Sequence, residues 1–250
     1  MRFQLFEFTD LGWYPAFLKQ PVVQYLDLAS KLFGVFEPAR TLLLEAIHSS
    51  GAQQIVDLGS GAGGGLDTFW LNARRESRGL HVIRTDLFPI QRESDLDFIE
   101  NYPHSVDATK VPDNLKGFRT MFTLAHHLDP DKLRQSFQDA QRNSAGLAVF
   151  EPVSRGLVPV LSMILLVPFL VLALVPFIKP LRPLTLMFTY LIPVIPFTIL
   201  WDGIVSSLRA YPPTELLKIA ESTAGPLKWK SGIVGHKGRT ITYLIGTKSG

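Results

Sequence analysis

The chain has 250 residues, 46% of them hydrophobic and 19% charged, with no cysteine and a formal net charge of +3. These averages suit one large folded domain or two small ones, and they exclude a disordered chain, a disulfide-stapled module and a thiolate zinc site. The mean hydropathy of +0.18 is slightly high for a soluble protein, because the apolar residues are unevenly spread.

Residues 1–50 carry no secretory leader by pattern: Arg2 is followed by no apolar run, and Glu7 and Asp10 interrupt. Phe3, Phe6, Phe8, Trp13, Tyr14 and Phe17 crowd its start, and helical periodicity follows over 38–48. An N-terminal cap over 1–50 is expected, its aromatics serving either core packing or the roof of a substrate cleft. Residues 54–58 form an apolar run ending in a glycine turn, and 66–75 place Leu66, Phe69, Trp70 and Ala73 at helical spacing. Further strands are expected over 80–87, 118–124 and 146–150, with a helix over 130–142 bearing Leu133, Phe137 and Ala140 on one face. Alternation of this kind implies a parallel sheet with helices on both sides, here a core over 51–156.

Residues 157–201 are different. Their only charges are Lys179 and Arg182, where the chain average would place about eight. Two apolar runs, 157–178 and 184–201, flank the basic joint Lys179-Pro180-Leu181-Arg182-Pro183. As a helix the first run would reach ~33 Å, near the thickness of a bilayer's hydrocarbon. Pro159, Pro168, Pro176, Pro193 and Pro196 interrupt the runs, and interior prolines kink helices. The expected form is a re-entrant or interfacial helical hairpin, with Lys179 and Arg182 reaching lipid head groups. Two complete transmembrane helices, or a buried helical lid over a greasy pocket, are the alternatives. The cationic joint and the positive-inside rule place the rest of the chain on the cytoplasmic side.

Residues 202–250 return to ordinary composition. A helix is expected over 213–221, led by Pro212 and Pro213, and a strand pair over 228–236 and 240–247 with its turn at Lys237-Gly238. No acid follows Glu221, while Lys228, Lys230, Lys237, Arg239 and Lys248 do. A solvated edge hairpin explains this better than a nucleic-acid surface.

The chemistry centres on Asp57-Leu58-Gly59-Ser60-Gly61-Ala62-Gly63-Gly64-Gly65, between the first strand and first helix. Glycines at such a bend permit positive φ and close ligand approach. Gly59, Gly61 and Gly64 alone would also satisfy a dinucleotide fingerprint. Asp57, Gly59, Gly61 and Gly63 together resemble the DxGxGxG motif of class I S-adenosylmethionine-dependent methyltransferases, in an uncharacterised bacterial branch with a hydrophobic insertion. The resemblance covers roughly 40–155 and 203–250. It implies a doubly wound, Rossmann-like α/β sheet of seven strands with S-adenosylmethionine as cofactor and a hydrophobic helical-hairpin insertion. It assigns Asp57 to the cofactor's ammonium group, Asp86 to the ribose hydroxyls and Asp107 with Ala108 to adenine.

His126 and His127 follow the fourth strand, at the sheet end where α/β folds place ligands, and are the candidate catalytic bases. Glu151 is a weaker candidate for base or substrate ligand. Asp202 and Arg209 either face a substrate head group or form an anchoring salt bridge. No metal site is expected, since the adjacent histidines lack further ligands at diagnostic spacing. The expectation is a membrane-associated methyltransferase acting on a lipophilic small molecule or lipid. The alternatives are a non-catalytic membrane-bound protein that binds S-adenosylmethionine and, third, an NAD-dependent oxidoreductase.

Overall fold

A computed structural model describes residues 2–61, 63–89, 94–236 and 239–248. The chain divides into two compact units, Val35–Pro152 with Tyr211–Gly250, and Met1–Gly34 with Val153–Ala210. The first unit therefore takes in residues 35–50, which the sequence groups with an N-terminal cap. The second unites the first 34 residues with the apolar tract and extends to residue 210.

The first unit is built on a seven-stranded sheet. Its strands are β1 (Gln54–Leu58), β2 (His81–Thr85), β3 (Ile99–Asn101), β4 (Phe118–Phe122), β5 (Gly146–Glu151), β6 (Leu227–His236) and β7 (Arg239–Lys248). Their spatial order is β3-β2-β1-β4-β5-β7-β6. Strands β1 to β5 pair in parallel, and β7 runs antiparallel to both β5 and β6. This is the doubly wound α/β sheet that the alternating pattern implies. Sequence pattern passes over β3, three residues set among turn formers, and the expected turn at Lys237-Gly238 lies outside the described residues.

Alternate side chains of each strand feed two cores, as the period-2 pleat requires. One joins Ile55, Val82, Phe118 and Phe150 to α2 (Arg40–Ser50) and α3 (Asp67–Glu76) through Leu43, Ile47, Phe69 and Trp70. The other joins Val56, Met121, Val149 and Leu244 to α4 (Pro130–Asn143) and α8 (Pro213–Glu221) through Leu133, Phe137 and Leu216. Helix α4 starts where it does because Asp129 caps it, its carboxylate accepting the Lys132 N–H at 2.9 Å, with Pro130 in the first turn.

The second unit contains α1 (Ala16–Phe33), α5 (Leu157–Leu174), α6 (Pro183–Leu186) and α7 (Val194–Arg209). A 3-10 turn, Val175–Phe177, extends α5, and a π-helical segment, Met187–Leu191, follows α6. The second apolar run is thus broken rather than continuous. The axis bends by 73° between Pro183–Leu191 and Val194–Arg209, where Pro193 and Pro196 withhold two N–H donors. Pro168 sits inside α5 without ending it. Leu18, Val22 and Tyr25 of α1 pack with Val171, Val175, Ile195 and Ile199. Within α5 only Val171 is buried, whereas Val175, Ile178, Ile195 and Ile199 elsewhere in the apolar tract are buried as well. The segment Leu157–Phe177 is long and apolar enough to cross a membrane.

Candidate active site

Strand order reverses between β1 and β4, the point at which a doubly wound sheet opens a crevice at its carboxyl end. Asp57 closes on that crevice. The register pairs Asp57 with Thr120, and the Thr120 hydroxyl donates to Asp57 Oδ1 at 2.7 Å. Ser60 donates its hydroxyl to Asp57 Oδ2 at 2.9 Å. Thr85 anchors the strand end by donating to the Asp57 carbonyl at 3.0 Å. Asp57 is 1% exposed. Burial pushes its carboxyl up to about 6, against the opposing pull of the Thr120 and Ser60 hydroxyls and of the Arg84 guanidinium.

The glycine turn runs from Asp57 toward α3. Gly59, Gly61 and Gly63 have φ of +67°, +53° and +69°, in the region where glycine pays no steric cost. A Cβ on Gly59 would meet the Leu124 side chain at 2.6 Å, and one on Gly63 would meet the Arg84 guanidinium at 2.8 Å. Among the described residues, a Cβ on Gly61 would meet nothing within 4 Å. Two glycines are thus needed for packing from beneath, and the third leaves space on its outer side. Ala62 lies outside the described residues.

Asp86 fastens the loop from the side. Its Oδ2 accepts the Gly61 N–H at 2.8 Å and its Oδ1 accepts the Phe88 N–H at 2.8 Å. A carboxylate held by one donor on each oxygen retains lone pairs for further donors. Ser60, Gly61, Asp86, Asn101 and Tyr102 line a recess here. The loop with Asp107 and Ala108 reaches the same end of β2, because the Val106 N–H donates to the Asp86 carbonyl at 2.9 Å. Asp107 Oδ1 accepts the backbone N–H and hydroxyl of Thr109, both at 2.8 Å, while Ala108 offers its carbonyl to the Ser136 hydroxyl at 2.6 Å. Asp107 remains exposed.

His126 and His127 lie on a short 3-10 turn after β4, with ring centroids 4.2 Å apart. His126 Nδ1 is 2.6 Å from Glu151 Oε2, and Glu151 Oε1 accepts the Ala125 N–H at 2.8 Å. His126 and Glu151 are 3% and 1% exposed. Glu151, at the end of β5, thus orients His126 and supports the turn that carries it. Just before this turn Thr123 has φ +55°, a strained conformation for a β-branched residue.

Asp202 and Arg209 belong to the other unit, on α7, where both are committed to the N-terminal segment. Asp202 accepts the Phe8 N–H at 2.7 Å and, at 3.1 and 2.8 Å, the N–H and hydroxyl of Thr9. Arg209 reaches Glu7 at 3.1 Å, Asp10 at 2.9 Å and the Leu5 carbonyl at 2.8 Å. This is the geometry of the anchoring alternative rather than of a head-group site.

Sequence reasoning passed over Thr120 and Arg84. Arg84 is 7% exposed and bonds Asp67, the first residue of α3, at 2.6 Å. Its signal was a lone charge inside the apolar strand His-Val-Ile-Arg-Thr.

No protein-family model matches the chain, and no curated sequence matches it. Among solved structures, the chain is similar to human N-acetylserotonin methyltransferase in complex with S-adenosylmethionine. The identity is 15% and the TM-score 0.50, over 90% of this chain and 56% of that one. It is similar to an O-methyltransferase family protein from Burkholderia thailandensis at 14% identity and TM-score 0.46, over 90% and 58% of the two chains. The methyltransferase domain of a bacterial Hen1 matches at 13% identity and TM-score 0.49, over 85% and 99%. The chain therefore spans a little over half the length of the human enzyme. What the first likeness shows is the fold, a Rossmann-like methyltransferase sheet.

Proposed function

We propose that this chain, which has the fold of the class I methyltransferases, is itself an S-adenosylmethionine-dependent methyltransferase for a small-molecule acceptor. The observation that carries the reading is the pair of carboxylates, Asp57 at the start of a positive-φ glycine loop and Asp86 beside its middle. A carboxylate at Asp57 would disfavour a pyrophosphate, whereas an ammonium group finds an acceptor in Asp57 and a ribose diol in Asp86. The space beside Gly61 leaves room for a ligand to approach the backbone. Asp57 would hold the cofactor's amino-acid end, Asp86 its ribose and the Asp107-Ala108 loop its adenine. S-adenosylmethionine supplies a methyl group already activated by a sulfonium, so positioning provides much of the catalysis.

His126 is the base this geometry favours. Glu151 on Nδ1 orients the ring, and its buried carboxylate would stabilise the imidazolium formed when His126 takes the proton of an attacking hydroxyl. His127 lies against the first ring, the two centroids 4.2 Å apart. Calorimetric titration with S-adenosylhomocysteine and with NADH tests the cofactor. Binding of the first alone is expected, and tight NADH binding without it would overturn the reading. In turnover, Glu151→Gln is expected to lower kcat by about 10²-fold with little change in cofactor affinity.

The acceptor is proposed to be lipophilic and the protein membrane-associated, with the sheet unit on the cytoplasmic side. Support comes from the apolar, largely exposed α5. Activity on lipid extracts and fractionation of cells test this. Quantitative release by carbonate, with activity confined to water-soluble acceptors, would refute it.

A further inference from the structure

We propose that the unit formed by Met1–Gly34 and Val153–Ala210 lies in the plane of one membrane leaflet, with the outer face of α5 among lipid tails and the outer face of α1 in water. The proposal rests on the reading of this chain as membrane-associated, and it decides between spanning and lying on the surface.

Helix α5 is apolar around its whole circumference, and about half of that circumference is exposed. Leu157, Val158, Leu165 and Phe169 are 73%, 74%, 65% and 73% exposed. At helical spacing these form one continuous stripe along α5. A stripe of this size does not stay in water. The charges nearest it in sequence, Arg155 before and Lys179 after, leave 23 uncharged residues between them.

Composition alone would let α5 cross a bilayer, but α1 forbids it. One face of α1, through Leu18, Val22 and Tyr25, is buried against α5 and α7. The opposite face, turned by about half the helix circumference, carries Gln20, Asp27 and Lys31, with Lys19 about a quarter turn from the buried side. If α5 crossed the membrane, its packed partner would carry two lysines and an aspartate into hydrocarbon on a lipid-facing surface. An in-plane unit avoids this, with one helix face wet and another greasy.

Charge favours an anionic lipid surface over a second protein as the occupant. The unit has seven Lys and Arg residues against four acids. Two of those acids, Glu7 and Asp202, are buried and bonded within it, while Lys179 and Arg182, just beyond the first apolar run, are exposed. Basic residues at the rim of an apolar face are what phosphate-bearing head groups complement.

The absence of cysteine makes the test direct. Full-length Leu165→Cys, Phe169→Cys, Lys19→Cys and Gln20→Cys variants carry a fluorescent label and are mixed with phosphatidylcholine and phosphatidylglycerol vesicles bearing nitroxides on their acyl chains. Labels at 165 and 169 are expected to be quenched at least about twofold, while those at 19 and 20 stay bright. Quenching at all four positions, or at none, overturns the proposal. A bright signal at 165 combined with sedimentation as a dimer would replace lipid by a second copy. Lys179→Glu with Arg182→Glu is expected to cut partition onto the anionic vesicles about tenfold or more, and not onto phosphatidylcholine alone. S-adenosylhomocysteine titration of the same samples keeps the catalytic reading separately testable, because loss of the quenching pattern with cofactor binding intact rejects only the membrane geometry.

Discussion

Asp57 is a carboxylate kept where a carboxylate is costly, buried between two hydroxyls at the end of β1. Its carboxyl titrates near 6 instead of 3.8. Because the folded protein holds this proton more tightly than the unfolded chain, Asp57 makes the protein less stable as pH rises from about 4 to 6, by about 3 kcal/mol in total. Asp57→Asn should flatten that part of the stability curve, measured by denaturant titration of the cofactor-free protein. Binding of a cationic cofactor follows the opposite slope. It needs the ionised form, so affinity should rise with pH up to about 6 in the parent and lose that dependence in Asp57→Asn.

Arg84 sets a second test at this scale, since its guanidinium fills the space that a side chain on Gly63 would need. Gly63→Ala should weaken S-adenosylhomocysteine binding about tenfold or more, through that clash and the cost of an alanine at positive φ. Adding Arg84→Ala should restore part of the loss, the clash but not the backbone strain. No recovery would mean that the conformation alone excludes alanine. Asp57 and the glycines are legible in sequence because one contiguous motif carries them. Thr120 and Arg84 are not, because their roles depend on strand register and on a helix start 17 residues away from Arg84.

At the scale of elements, α7 shows how chemistry visible in sequence is reassigned by distant partners. Asp202 and Arg209 stand out beyond the apolar tract, yet their partners lie about 200 positions earlier. Asp202→Ala leaves the Phe8 and Thr9 N–H groups without their acceptor and Arg209 among the remaining acids. It should destabilise the protein by about 3 kcal/mol, seen as a lower Tm, without altering cofactor affinity at temperatures where the protein is folded. Elements with strong periodicity, such as α4 and β5, could be read within a residue or two. Helix α1 could not, since Pro21 and the crowded aromatics before it mask a helix that tertiary packing stabilises. Strand β3 is three residues long and carries too little pattern to detect.

At the scale of the molecule, each unit is assembled from two separated stretches of chain. Residues 2–33 should therefore be indispensable to the apolar unit, because Leu18, Val22 and Tyr25 cover Val171, Val175, Ile195 and Ile199. Each such side chain contributes about 1.5–3 kcal/mol when buried. A variant lacking this stretch should be recovered only in detergent, as the partition between soluble and pelleted protein would show. The division itself was hidden from sequence: composition marks the apolar tract but cannot say which other segment packs with it.

The sheet has a further consequence for the order in which the protein takes shape. Strand β7 follows every other element along the chain, yet it lies inside the sheet, between β5 and β6. During synthesis the β5 edge waits unpaired until residues 239–248 appear, although both stretches of the helical unit have already been made. Translation thus delivers the greasy helices first and the closing strand last. Until then the sheet stops at β5, and closing it waits on β6 and β7.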